Sequence, residues 1–146
     1  MNGIVSISLD QLLQKSNYSK VVLLKTDVDG FDYDVLDSSI STIKKDKPII
    51  FFELYSELAS QEEGYIKTIS SLSALGYCDW TIFDNFGGIL VRTSDIQVIF
   101  QLVEYISIQN ISLSSRTVYY YDVLAAQSRD VKIIDAAILD YQSKIS

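Results

Sequence analysis

The spacing of apolar positions changes several times along the chain, and each change marks an element. Residues 4–9 alternate apolar and polar, the pattern of a short half-buried strand, and Asp10 then caps a brief helix over residues 11–14. Val21, Val22, Leu23 and Leu24 form a continuous apolar run that leads into Thr26-Asp27-Val28-Asp29-Gly30. Such a run, closed by a turn, predicts a strand covered on both faces, as in a parallel sheet. Phe31, Val35, Leu36, Ile40 and Ile43 recur near helical spacing, and Pro48 closes the connection to a second apolar strand, Ile49–Leu54. Ser60 is placed to cap a helix whose apolar side is Tyr65, Ile66, Ile69, Leu72 and Leu75, with Gly76 at its end. Residues 80–83 and 89–92 read as two strands, and Asp84-Asn85-Phe86-Gly87-Gly88 as the hairpin loop between them. Ile96, Ile99, Phe100, Val103 and Ile106 form another helical face, capped by Ser94 or Asp95. Residues 118–121 form a short aromatic-rich strand or extended segment, and Val131, Ile134, Ile138 and Tyr141 line one side of a last helix.

Strand–helix–strand units of this kind predict an α/β fold with parallel strands and right-handed crossovers. Residues 21–27 and 49–54 are expected as parallel neighbours, with the 80–83/89–92 hairpin antiparallel beside them and residues 93–146 as a helical extension. Without repeats, low-complexity stretches or linkers, residues 1–146 read as one domain.

Composition narrows the function. A net charge of −7 with no Lys/Arg stripe argues against a nucleic-acid binder. Lys44, Lys45 and Lys47 read as the solvated end of a helix, where cations favour the dipole. Cys78 is alone, which excludes an intrachain disulfide and suits a reducing compartment. No apolar run has the length of a membrane span, and no secretory signal pattern opens the chain. The expectation is a cytoplasmic protein bound to neither membrane nor nucleic acid. With no histidine, chemistry falls to carboxylates, tyrosines, lysines, the cysteine or a bound cofactor, and no metal is expected.

The densest chemical feature is Asp27-Val28-Asp29-Gly30-Phe31-Asp32-Tyr33-Asp34. Ligands of open α/β sheets bind beyond the carboxyl ends of the strands, where Asp27 and Asp29 are expected. Asp29 or Asp32 also suits a helix cap, and for Asp32 and Asp34 capping and chemistry weigh equally. A calcium loop with Gly30 at its sixth position would start at Lys25 and end at Leu36, neither of which is a ligand. Asp27-Val28-Asp29-Gly30 resembles the Asp-x-Asp-Gly-Thr turn of haloacid-dehalogenase-like phosphatases. Phe31 stands in place of the Thr, and no later Gly-Asp-Gly turn follows.

A longer resemblance runs through residues 4–92. Leu23-Leu24-Lys25-Thr26-Asp27-Val28-Asp29-Gly30, followed by an acidic helix start and Val35-Leu36, resembles the signature of the FkbM methyltransferase family. Ile7-Ser8-Leu9-Asp10-Gln11-Leu12-Leu13 is similar to the stretch before that signature, and Pro48-Ile49-Ile50-Phe51-Phe52-Glu53 to the strand after it. Leu75-Gly76-Tyr77 and Asp84-Asn85-Phe86-Gly87 fit the helix end and closing hairpin, and Tyr119-Tyr120-Tyr121-Asp122-Val123-Leu124-Ala125 is similar to a tail of some members. The resemblance implies the C-terminal portion of a Rossmann-like sheet. It implies methyl transfer from S-adenosylmethionine to a hydroxyl of a small-molecule acceptor, a sugar or secondary metabolite. Asp27 and Asp29 are then the catalytic candidates, and Glu53 and Asp32 the substrate contacts. For Glu53, a carboxylate satisfied by nearby backbone N–H groups is an equal alternative.

The family's Gly-rich cofactor turn and ribose-gripping acid have no counterpart, since Gly3 alone precedes Gly30 and no Gly-x-Gly occurs. The chain is therefore expected to be a truncated domain whose cofactor contacts lie elsewhere, or a non-catalytic α/β interaction module. Truncation would also bare the edge of strand 21–27, predicting self-association there unless residues 4–9 or the last helix cover it.

Overall fold

The two apolar runs pair as their pattern predicts. Strands β1 (Leu23–Thr26) and β2 (Ile49–Leu54) are parallel, with Leu23 opposite Ile49 and Thr26 opposite Phe52. The computed structural model describes residues 7–112 and 117–145. Of the expected 4–9 strand, residues 4–6 lie outside the described residues, and Leu9 already opens helix α1 (Leu9–Gln14). Ser8 caps this helix in place of Asp10. The Gln11 N–H donates to Ser8 Oγ at 3.1 Å and the Ser8 N–H to Gln11 Oε1 at 3.0 Å, a reciprocal box.

Two short helices, α2 (Asp32–Asp37) and α3 (Ile40–Asp46), replace the single one expected between β1 and β2. The Ser38 and Ser39 hydroxyls both donate to the Val35 carbonyl, at 2.9 and 2.6 Å, and compete with the helix's own bonds at the break. Asp10 serves α3 instead of α1: its carboxylate accepts the N–H groups of Ser41 and Thr42 at 3.0 and 2.9 Å. Helix α4 (Ala59–Ala74) starts before Ser60, so that residue is not its cap. Gly76, at φ 98°, follows its end in the left-handed conformation that glycine favours. The hairpin forms as expected from β3 (Tyr77–Asp84) and β4 (Ile89–Thr93). Helix α5 (Ile96–Ser112) follows, and Asp95 accepts the Gln97 N–H at 2.9 Å.

The main departure is β5 (Tyr121–Gln127), which inserts between β2 and β3, antiparallel to both. Among the described residues the sheet order is β1-β2-β5-β3-β4, so one of four pairings is parallel and the hairpin does not adjoin β2. Residues beyond Thr93 therefore supply a central strand as well as helices. Register explains the fit: small Ala125 lies opposite Trp80, and Val123 opposite Ile82.

One sheet face carries the core. Leu24, Ile50, Phe52, Leu54, Val123 and Trp80 pack on Leu36 of α2, Ile69 and Leu72 of α4, and Ile99 and Val103 of α5. Each fully buried aliphatic side chain contributes roughly 1.5–3 kcal/mol. Helix α6 (Val131–Ile145) packs on β5 from the other face. Arg92 anchors it, donating to both Asp79 oxygens at 2.7 and 2.5 Å and to Asp135 at 2.6 Å. β1 ends the sheet, and Val22 and Leu23 remain 68% and 58% exposed, so this run is covered on one face among the described residues.

Candidate functional site

β1 ends in a turn that requires its glycine. Asp29 and Gly30 are both left-handed, at φ 50° and 87°. A Cβ on Gly30 would lie 2.7 Å from Gln61 Nε2 and 2.9 Å from a ring carbon of Tyr55. The Val28 N–H donates to Asp32 Oδ2 at 3.2 Å, which closes the turn from below. Gln61, from α4, ties this turn to the loop after β2. Its Nε2 donates to the Gly30 carbonyl at 3.2 Å, and its Oε1 accepts the Glu57 N–H at 2.9 Å.

These constraints bring the predicted acids to one end of the sheet. Asp29 and Glu53 line a cleft of about 500 Å³ together with Tyr55, Glu57, Tyr119 and Tyr120. Asp27 does not line the cleft; it is exposed and paired with Lys25 at 3.1 Å, and its charge acts on Glu53. Asp32 is fully buried beneath the turn and does not line the cleft. Burial pushes its carboxyl up, against the Val28 N–H, the Thr26 hydroxyl and the Glu53 N–H. Among the described residues, Asp32 Oδ1 and Thr26 Oγ1 have no partner at hydrogen-bonding geometry.

Glu53 is the most perturbed acid. Burial first, then the charges of Asp27, Asp32, Asp29 and Asp122, push its carboxyl up to about 7. Its backbone carbonyl accepts the Tyr65 hydroxyl at 3.0 Å, which fixes the strand beneath it.

Asp122 is a further acid at this site, beyond those that the sequence pattern marks. Register places it directly opposite Glu53 in the β2–β5 ladder, so both side chains leave the same sheet face. Burial, then the Asp27 charge, pushes Asp122 up as well, with Lys25 opposing. The tyrosine wall also lies beyond that pattern, although Tyr119-Tyr120-Tyr121-Asp122 stands out as a motif. Two asparagines hold it. Asn110 Nδ2 donates to the Ser56 and Tyr119 carbonyls at 2.9 and 2.8 Å, and the Tyr119 N–H donates to Asn85 Oδ1 at 3.2 Å.

A carboxyl that loses its proton only near neutral pH can, once ionised, take one from a hydroxyl in its reach. Around it, carboxylates and ring faces favour a cationic reactant. A family model described as the methyltransferase FkbM domain matches residues 4–78, just over half of the 146 residues, including Asp27, Asp29, Asp32 and Glu53. No curated protein and no solved structure matches the chain. With its acidic turn and the following Glu53 strand both inside the matched span, the chain belongs to the FkbM methyltransferase family.

Proposed function

We propose that methyl transfer occurs in the cleft at the ends of β1 and β2, from S-adenosylmethionine to a hydroxyl oxygen of a sugar or secondary metabolite. The observation that carries this reading is Glu53, raised to about 7 where Asp29 and three tyrosines share its cleft. Glu53 takes the proton from the acceptor hydroxyl. Asp27, whose charge acts on Glu53 more than any other side chain's, sustains its basicity. Asp32 serves the site from below by holding the turn, not by touching substrate.

A sulfonium cation suits a cleft walled by the Asp29, Glu53 and Glu57 carboxylates and the Tyr55, Tyr119 and Tyr120 rings. Asp29 and Glu57 would hold its charged end. When bound, S-adenosylmethionine supplies an electrophilic methyl group and departs as a neutral thioether. Contacts to adenine and ribose are assigned to a further segment, in the same polypeptide or a second chain, which would complete a Rossmann-like sheet. A cytoplasmic location accords with the lone cysteine.

Calorimetric titration of the full-length protein with S-adenosylmethionine tests the reading. Saturable binding that weakens in Asp29→Asn is expected. No binding, in the presence or absence of an acceptor, would leave a non-catalytic interaction module instead.

A further inference from the structure

A second cavity opens on the sheet face that carries Glu53. It lies between α6 and the sheet, has a volume of about 270 Å³, and is lined by Phe51, Phe83, Leu124, Ile138 and Tyr141 with Asp122 at one end. Asp122 is the one ionisable side chain in that lining besides the Tyr141 phenol. Tyr141 is already committed: its hydroxyl donates to the Gly87 carbonyl at 2.6 Å, and its ring meets Phe83 edge-on at 5.9 Å. These contacts tie the helix to the hairpin loop and give the cavity a preformed wall.

Register joins the two spaces. Phe51 lies opposite Leu124, and two residues along, on the same face, Glu53 lies opposite Asp122. Asp122 thus ends the apolar cavity at the place where Glu53 begins the polar cleft. A body of ring size in the cavity would bring an attached hydroxyl to this pair of acids. An apolar pocket with few convergent polar groups is the form that small-molecule sites usually take. All of its lining except Phe51 comes from beyond residue 78, outside the span that matches the family model.

We propose that the cavity under α6 is the subsite for the apolar body of the methyl acceptor, whose hydroxyl lies between Asp122 and Glu53. The acceptor is then an alicyclic or aromatic alcohol, or a metabolite carrying such a group, and not a free polyhydroxylated sugar. This rests on the methyl-transfer reading for the word acceptor, but the binding itself can be measured without turnover.

The probes are cyclohexanol and myo-inositol, the same ring with one hydroxyl or with all positions hydroxylated. Both are titrated into the full-length protein while the NMR signals of Phe83, Ile138 and Tyr141 are followed. Saturable shifts with cyclohexanol and none with myo-inositol are expected. Ala137 also lines the cavity and is itself exposed on α6, so Ala137→Leu fills the space without disturbing the core. This variant should weaken cyclohexanol binding about tenfold with its thermal midpoint retained. Equal binding of both probes, binding of neither, or indifference to Ala137→Leu would each overturn the assignment. So would signals that move with protein concentration alone, which would mean that a second copy fills the cavity. Cyclohexanol binding in a protein that transfers no methyl group would uphold the pocket and count against the reaction.

Discussion

Glu53→Gln replaces a carboxyl that resists ionisation by a neutral group of the same shape, and the consequence is a trade between stability and chemistry. In the unfolded chain this carboxyl ionises near 4.5, whereas in the folded chain it holds its proton until about 7. Between those values the unfolded state releases a proton that the folded state keeps, so rising pH favours unfolding. The stability linked to this group is therefore complete below about 4.5 and is lost as pH passes through about 7. At about 1.4 kcal/mol per tenfold change in proton affinity, the full displacement corresponds to roughly 3 kcal/mol. Glu53 is only half-buried, so solvent screening reduces this to ~1–2 kcal/mol. The Gln variant escapes that loss. Relative to the parent, it should gain ~1–2 kcal/mol between pH 4.5 and pH 8, or about 3–6 °C in thermal midpoint. Urea unfolding at both pH values, followed by the fluorescence of buried Trp80, measures the difference. A variant less stable than the parent at pH 8 would refute the reasoning. It would mean that backbone N–H groups satisfy the carboxylate and that the role of Glu53 is structural.

Other perturbations separate the scaffold from the chemistry. In the full-length protein, Asp27→Asn should lower turnover about tenfold or more while its thermal midpoint hardly moves, since Asp27 is exposed, and Asp34→Asn should do little to either. Gly30→Ala should cost about 2 kcal/mol in urea unfolding, because it meets both a left-handed φ and the Gln61 and Tyr55 side chains. The exposed outer edge at Val22 and Leu23 should pair with a second copy, so sedimentation should show concentration-dependent association that Val22→Lys suppresses; a monomer at every concentration in the parent chain would remove that expectation.

The legible part of the fold was the part written in local pattern. Continuous apolar runs marked β1 and β2 as parallel neighbours, and Asn85 and the two glycines marked the hairpin. The strand expected over residues 118–121 shares only Tyr121 with β5 (Tyr121–Gln127). Its Ala125-Ala126-Gln127 stretch has weak strand character, and its burial follows from partners far away, such as Trp80 opposite Ala125. Asp10 looked like a cap for the helix beside it, but a side chain can cap any helix start that folding brings near, and here α3 arrives. The same limit governs the site. Asp27, Asp29 and Glu53 could be placed because strand ends follow from local pattern. Asp122 owes its position to a register with Glu53, which no spacing along the chain encodes.

The central claim is that Glu53 accepts the acceptor's proton during methyl transfer. The most direct test is turnover of the full-length protein with S-adenosylmethionine and an alicyclic alcohol, measured across pH in the parent and in Glu53→Gln. Turnover should rise with pH, level off above about 7 where the carboxyl has ionised, and be lost in the variant. A pH-independent rate that survives Glu53→Gln would contradict it.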